Sequence, residues 1–184
     1  LIKKNISFLD ISTAQKIFPF QKKNSLYKLL QRLELAGILK RITKGRYLFS
    51  YKESNDFELA NFIITPSYIS LESALSFYGI LAQFPYTITS VTPLKNRKII
   101  YYQKEFEFAH LRREYFFGFV KKDNFLIATP EKALLDEFYF ISKSLINISL
   151  KELDLSFINK GKLKKMIRNF NYLPLKRLVQ KYVK

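Results

Sequence analysis

The sequence contains no cysteine and only one histidine, His110. Without cysteine the chain can form neither disulfide bonds nor thiolate metal sites, which fits a reducing compartment such as the cytoplasm. A single histidine excludes metal sites that need two histidines, and it excludes acid–base catalysis by a histidine pair. We therefore expect no metal site and no cofactor, and we expect the protein to be cytoplasmic.

Glycine is also scarce, and long apolar runs are missing. The five glycines are isolated from one another, so they cannot form a glycine-rich loop that cradles phosphates. No apolar run approaches the roughly 18–20 residues that span a bilayer, and the first residues do not have the pattern of a secretory signal. Because 48% of the 184 residues are hydrophobic, we expect a folded protein with a real core and no membrane partner.

Positive charge is what the sequence has in excess, and it is concentrated at both ends. Lys and Arg outnumber Asp and Glu by 11 to 2 in residues 1–50 and by 10 to 2 in residues 151–184, whereas residues 51–150 hold 11 of each. Clustered Lys and Arg replace the counterions condensed on a phosphate backbone, so this distribution indicates nucleic-acid binding. A soluble basic surface or attraction to anionic lipid would produce the same composition.

Residues 12–36 predict two short helices. The first has Ser12 as its N-cap and ends at Pro19. The second runs from about Asn24 to Ala36, and Gly37 is placed to end it. Its leucines recur at the spacing of a single apolar stripe that would face a core, namely Leu26, Leu29, Leu30 and Leu33.

The segment after Gly37 predicts a β-hairpin. Two short strands, residues 38–42 and 46–49, flank a turn that contains Gly45. Helix, turn, helix and basic hairpin follow one another in the order of a winged helix-turn-helix. In that fold the second helix enters the major groove, and the wing contacts the backbone or the minor groove. We therefore predict such a domain over about residues 1–50.

The exposed face of the second helix predicts the residues that would read DNA. Long polar or cationic side chains suit phosphates and base edges in a major groove. The residues expected on this face are Asn24, Ser25, Tyr27, Lys28, Gln31 and Arg32. The cations expected to contact phosphates are Lys22, Lys23, Lys40, Arg41, Lys44 and Arg46. Winged-helix domains also serve as protein-docking modules, but docking does not require cations on both the helix and the wing.

Residues 51–150 predict a mixed α/β domain. A helix is expected over residues 56–64, and a second one begins at Ser70 as its N-cap and ends at Gly79. Thr129 is the expected N-cap of a third helix, with Pro130 in its first position. Between these helices, strands are expected over residues 87–92, 98–102, 107–110, 115–120 and 125–128.

Three acidic residues in this domain, Glu72, Glu131 and Asp136, lie in the predicted helices. The two helix starts give these residues a structural explanation, because the helix dipole stabilises a carboxylate in the first turn of a helix. We therefore interpret them as structural rather than catalytic.

Residues 151–184 predict two basic amphipathic helices, and Pro174 lies at the start of the second. We expect the helices to pack on the middle domain with a cationic outer face. That face could also contact DNA, an acidic partner or a membrane surface. The apolar positions at helical spacing are Leu163, Met166, Ile167, Phe170, Leu175, Leu178, Val179 and Tyr182.

Three blocks of the sequence resemble the AbiEi antitoxins of type IV toxin–antitoxin systems. They are LLxRLxxxGILxRxxxGxY (residues 29–47), PSYISLESALSFYG (residues 66–79) and IATPEKALLD (residues 127–136), and they follow the order of the family. The resemblance implies a winged helix that represses its own operon and a following domain that opposes a toxin. In this family the toxin is typically a nucleotidyltransferase-like protein from the same operon, although some relatives stand alone as regulators.

The sequence therefore predicts an α+β protein with a winged helix-turn-helix over residues 1–50, a mixed α/β antitoxin-like domain over residues 51–150 and basic helices over residues 151–184. The predicted function is transcriptional regulation, as the autorepressing antitoxin of a toxin–antitoxin operon, without catalytic residues. Its expected partners are double-stranded operator DNA and a cognate toxin. The alternatives are a stand-alone winged-helix regulator and a Mg²⁺ nuclease built from carboxylates alone.

Overall fold

The computed structural model describes residues 7–19, 22–146 and 152–183. Contacts divide the chain into two units, Leu1–Ile63 and Ile64–Lys184. Both units combine helices with a β-sheet, so the α+β class predicted from the sequence is confirmed. The first unit ends later in the chain than the boundary expected near residue 50.

The described part of the first unit contains three helices and a three-stranded antiparallel sheet. Its elements are β1 (Phe8–Asp10), α1 (Ile11–Ile17), α2 (Lys23–Leu35), β2 (Leu39–Thr43), β3 (Arg46–Phe49) and α3 (Asp56–Ile63). The strands lie in the order β1-β3-β2. The predicted second helix and the predicted hairpin are confirmed to within about two residues, whereas β1 is an element that the sequence pattern did not predict.

The leucine stripe of α2 faces the core of the first unit. Leu26 and Leu30 have no exposed surface, and Leu33 packs against the same cluster. Helix α2 ends as predicted at Gly37, whose φ of +70° is a backbone conformation that suits glycine. There the N–H of Ile38 donates to the Leu33 carbonyl at 2.9 Å, which is the hydrogen bond of a Schellman cap.

The start of α1 differs from the prediction. The N-cap is Asp10, whose carboxylate accepts a hydrogen bond of 2.6 Å from the backbone N–H of Thr13. Ser12, the predicted N-cap, is an exposed residue inside the helix. The prediction was wrong because Asp10 ends strand β1 with extended backbone, and its carboxylate can therefore reach the first free N–H groups. Burial alone would raise the pKa of Asp10, but the hydrogen bonds from Thr13 and the charge of Arg46 lower it.

The second unit contains a six-stranded mixed sheet and four α-helices in its described residues. Its elements are β4 (Tyr68–Ile69), α4 (Leu71–Phe77), β5 (Ile88–Thr92), β6 (Arg97–Tyr101), β7 (Lys104–His110), β8 (Phe119–Lys122), β9 (Phe125–Ala128), α5 (Pro130–Ser142), α6 (Lys160–Met166) and α7 (Leu173–Tyr182). The strand order is β6-β7-β5-β4-β9-β8. The pairs β4/β9 and β5/β7 are parallel, and the other pairs are antiparallel.

One local prediction for this unit is wrong, and another is confirmed in position only. Residues 115–120 do not form one strand, because Tyr115 ends a short 3-10 helix and β8 begins only at Phe119. Tyr115 is buried and stacks on Phe170 with ring centroids 4.5 Å apart, so its aromatic ring packs in the core from a turn. Ser70 is the N-cap residue of α4 as predicted, but its hydroxyl makes no capping hydrogen bond and donates instead to Asp136.

Helix α5 is the centre of the second unit. Every residue from Glu131 to Phe140 is buried, and α4, α6 and α7 all pack against this helix. Its start agrees with the prediction, because the Thr129 hydroxyl accepts a hydrogen bond of 3.4 Å from the backbone N–H of Lys132 and Pro130 occupies the first turn. A helix that is covered on all sides must satisfy any polar side chain inside the protein.

Two buried charged side chains of α5, Lys132 and Asp136, are satisfied by a buried network. Lys132 Nζ donates to Asp136 Oδ1 and, at 2.8 Å, to the hydroxyl of Tyr68. The Tyr68 hydroxyl and the Ser70 hydroxyl both donate to Asp136 Oδ2, at 2.9 Å and 2.8 Å. Burial raises the pKa of Asp136 and lowers the pKa of Lys132, and the attraction between the two charges opposes both shifts. The network therefore joins β4, the start of α4 and α5.

Glu137 lies beside this network without a partner for its carboxyl group. Its side chain is buried, and neither carboxyl oxygen has a hydrogen-bond partner among the described residues. Burial, together with the nearby charges of Glu72 and Asp136, raises the pKa of Glu137 to about 9. The folded protein therefore holds Glu137 in its neutral form at pH 7.

We expect Asp136→Asn to lower the free energy of unfolding of the second unit by about 3–5 kcal/mol, because it leaves the Lys132 ammonium buried without a counter-charge. The double variant Lys132→Met with Asp136→Leu removes both charges, so its free energy of unfolding should fall by clearly less than that of the single variant. Urea-induced unfolding followed by far-ultraviolet circular dichroism measures both losses. Equal losses in the single and the double variant would contradict the assignment of a buried ion pair.

We expect Glu137→Gln to change how stability depends on pH. Because the folded pKa of Glu137, about 9, lies above its ordinary value of 4.5, its contribution is fully present below pH 4.5 and is lost as the pH rises towards 9. The glutamine variant lacks this loss, so its stability relative to the parent chain should rise by up to about 1.4 kcal/mol per pH unit between those limits. Urea titrations at several pH values test this, and a constant difference between the two proteins would refute it.

Candidate nucleic-acid interface

The side of α2 that faces away from the core carries the predicted reading residues. All six are exposed, including Tyr27 at 42% of its surface. Because an α-helix turns by about 100° per residue, Asn24, Lys28 and Gln31 lie along the line opposite the leucine stripe. Ser25 and Arg32 flank that line on one side. The helical phase of α2 therefore presents these side chains together, on a face that makes no contribution to the core.

Leu35 belongs to the same face, and the sequence analysis did not include it. It is 81% exposed, which makes it one of the most exposed apolar side chains among the described residues. Its position, four residues after Gln31, places it on the line opposite the buried leucines. Helical phase alone could have found it. An apolar side chain here is suited to the methyl group of thymine.

The predicted phosphate contacts lie at both ends of this face. Lys22 and Lys23 are exposed at the start of α2, and Lys40 and Arg41 are exposed on β2. Lys44 is exposed in the turn between β2 and β3, which Gly45 completes with a φ of +76°. Lys22 and Lys23 therefore lie at one end of the α2 face and Arg41 and Lys44 lie beside it, whereas Lys40 alternates with Arg41 along β2 and points to the other face of the sheet.

A groove of about 460 Å³ connects α2 with the hairpin. Four of the predicted residues line it, namely Tyr27, Gln31, Arg41 and Lys44. The rest of its lining is Glu34, Leu35, Gly45 and Tyr47, none of which is among the predicted site residues. Burial raises the pKa of the Tyr47 phenol, and the charge of Arg41 opposes this shift, so the two side chains are electrostatic neighbours. The structure thus brings helix and hairpin residues to one surface.

Arg46 is placed differently from the other predicted residues. Its Nη1 donates a hydrogen bond to the carbonyl of Phe62 in α3, and its guanidinium carbon lies 5.2 Å from the centre of the Phe62 ring. Burial lowers the pKa of Arg46, and the charge of Asp10 opposes that shift. The guanidinium therefore holds β3 to α3, and it is not part of the exposed cationic surface.

Glu131, one of the acidic residues interpreted as structural, contacts the chain that follows α5. Its Oε1 accepts a hydrogen bond of 3.2 Å from the backbone N–H of Asn159, which is the N-cap of α6. Within residues 7–19, 22–146 and 152–183, no group of three or more histidine, aspartate and glutamate side chains could hold a metal ion. In the same ranges, no helix is both long enough and apolar enough to cross a bilayer.

Comparison with known proteins adds no relative to these observations. A scan against protein-family models and a search of curated proteins found no match to this chain. The candidate interface therefore rests on its own residues.

We expect Arg46→Ala to lower the free energy of unfolding of the first unit by about 2 kcal/mol, because it removes a hydrogen bond from a charged donor and leaves the Phe62 carbonyl without it. Lys44→Ala, in the same hairpin, should change it by no more than about 0.5 kcal/mol, because its side chain is exposed. Urea-induced unfolding measures both. Similar losses in the two variants would contradict the distinct role assigned to Arg46.

Proposed function

We propose that the first unit is a winged helix-turn-helix domain that binds duplex DNA, and that the protein is a transcriptional regulator of its own operon. The observation that carries the proposal is the exposed face of α2, polar and cationic, joined by a groove to the exposed cations of the β2–β3 hairpin. In this assignment α1 and α2 are the helix-turn-helix, α2 is the recognition helix, and the hairpin is the wing.

The order and packing of the elements support this assignment. Strand β1 pairs with β3, which places β3 in the middle of the sheet and leaves β2 of the hairpin as an edge strand. Among the described residues, Leu26, Leu30 and Leu33 of α2 pack on the core, and the opposite side of the helix is exposed. A helix with side chains has a diameter of roughly 10–12 Å, and the major groove is about 12 Å wide.

The charges of this region support a polyanionic partner. Residues 22–50 contain eight lysines and arginines and a single acidic residue, Glu34. Because Arg46 contacts α3, seven cations remain that could neutralise phosphates. Each such contact contributes about 0.9 to the slope of log K against log salt, so we expect a slope no steeper than about −6 for the first unit.

The resemblance to AbiEi antitoxins supports a more specific proposal for the operon. We infer that the protein represses a toxin–antitoxin operon and that its second unit opposes a nucleotidyltransferase-like toxin. The blocks that carry this resemblance in the second unit are residues 66–79 and 127–136. Expression of the neighbouring gene should then arrest growth, and co-expression of this protein should restore it. Growth arrest that this protein does not relieve would leave the stand-alone regulator as the better proposal.

Fluorescence anisotropy with the gene's own upstream DNA tests the regulatory proposal. The full chain should bind this DNA at least about a hundredfold more tightly than a scrambled duplex of equal length. A salt series measures the phosphate contribution, and incubation with Mg²⁺ followed by electrophoresis tests for the cleavage that a nuclease would cause. Equal affinity for both duplexes would refute sequence-specific binding.

We expect the triple variant Lys28→Glu, Arg32→Glu and Lys44→Glu to weaken binding to the upstream DNA by at least about a hundredfold, because it replaces three phosphate or base contacts with repulsive charges. The side chains are exposed, so circular dichroism should show an unchanged fold.

The matched control carries the same change of net charge on the second unit. Lys95→Glu, Arg113→Glu and Lys121→Glu also replace three exposed cations, and binding should change by no more than about threefold. Equal loss in both triple variants would mean that net charge, rather than the α2 surface, carries the affinity.

A further inference from the structure

Helices α6 and α7 leave an apolar trough on the surface of the second unit. We call it the α6–α7 trough, and its volume is about 390 Å³. Leu163, Ile167 and Val179 form its floor. Leu163 is 1% exposed and Val179 is 8% exposed, so the floor is recessed below the surface rather than protruding from it. Such a concave apolar strip can receive side chains from another molecule.

Three cations form the rim of the trough. Lys164 and Arg168 stand on the α6 side, and Lys176 stands on α7. No acidic residue lines the trough, and none of the three cations forms an ion pair with a described residue. Residues 152–183 as a whole contain eight lysines and arginines against two acidic residues. The rim therefore offers positive charge that the described part of the protein leaves uncompensated.

We propose that the α6–α7 trough binds an acidic amphipathic helix of a partner protein. The apolar stripe of such a helix would fill the floor, and carboxylates beside the stripe would pair with Lys164, Arg168 and Lys176. This is the helix-in-groove mode of recognition, in which residues at i, i+3, i+4 and i+7 supply the anchors. The site is separate in sequence from the α2 surface, so the proposal does not depend on DNA binding.

The shape of the trough distinguishes this occupant from the others that positive charge could attract. Nucleic-acid phosphates would contact the rim but leave the apolar floor in water. An anionic membrane binds apolar side chains that protrude about 5–10 Å into the lipid, whereas the floor of the trough is recessed. A second copy of the same surface would bring like charges together. An acidic helix satisfies both the floor and the rim.

The test uses the full chain and a synthetic fluorescent peptide of about 20 residues, long enough for five helical turns. The peptide has leucine at i, i+3, i+4 and i+7 in each repeat, and glutamate and alanine elsewhere. One control peptide has the same composition in scrambled order, and another has lysine in place of glutamate. The acidic amphipathic peptide should bind saturably, with a dissociation constant below about 100 µM, and at least about tenfold more tightly than either control.

Charge variants then locate the binding. Lys164→Glu with Lys176→Glu should weaken peptide binding by at least about tenfold, because two attractive contacts become repulsive. The matched pair Lys162→Glu with Lys181→Glu changes exposed lysines of the same helices outside the trough, and it should change affinity by no more than about twofold. Ile167→Gln, which makes the floor polar, should weaken binding without altering the net charge.

Three outcomes would overturn the proposal. They are the absence of saturable binding up to about 100 µM, equal binding of the scrambled peptide, and equal weakening by the two pairs of charge variants. Vesicles of phosphatidylserine and phosphatidylcholine and a random DNA duplex are assayed in parallel. Binding of either ligand that depends on Lys164 and Lys176, in the absence of peptide binding, would assign the trough to lipid or to nucleic acid instead.

Discussion

Burial of Leu26 and Leu30 against the three-stranded sheet fixes the rotation of α2 about its own axis. Once these two side chains point into the core, the 3.6-residue repeat determines which residues face water, and no further contact is needed to orient Lys28 or Gln31. The sheet that receives the leucines also carries the hairpin, so the same packing sets the position of the hairpin cations relative to the helix. The proposed DNA surface is thus a by-product of how the first unit forms its core.

The second unit differs from the first, because its central helix has no side that faces water and its polar side chains need partners inside the protein. Its Lys132 and Asp136 are satisfied from within, by pairing with each other and by the hydroxyl groups of Tyr68 and Ser70, whereas the buried Glu137 is held in its neutral form. All four residues belong to the two sequence blocks 66–79 and 127–136. Physical necessity therefore accounts for much of the polar character of these blocks, since a buried charge without these partners would destabilise the fold.

Local sequence signals predicted the elements whose determinants are local. The leucine stripe and Gly37 define α2, and the Thr129-Pro130 pair defines the start of α5. Both were predictable because caps and helical periodicity act within a few residues. The errors lie where a distant partner decides the outcome. The hydroxyl of Ser70 binds Asp136 rather than its own helix, and Tyr115 packs on Phe170.

The candidate interface shows the same division between local and distant determinants. Helical phase and charge were sufficient to place eleven of its twelve predicted residues on exposed surface. Arg46 lies two residues after the exposed Lys44, so the sequence contains no sign of a separate role, and only its contact with Phe62 reveals that role. Glu34 and Tyr47 were missed because the groove depends on how α2 and the hairpin approach one another.

The link between Arg46 and Phe62 also sets the smallest piece of the chain that could carry the proposed DNA-binding surface on its own. The ring of Phe62 stacks on Phe8 of β1 with centroids 4.7 Å apart, so α3 holds the sheet at two of its three strands. A fragment cut at residue 50 would lose that ring and the carbonyl that accepts from Arg46, exposing a half-buried guanidinium and one edge of the sheet. A fragment extending through Ile63 keeps both, which makes residue 63 the rational end point for an autonomous fragment that carries the proposed DNA-binding surface.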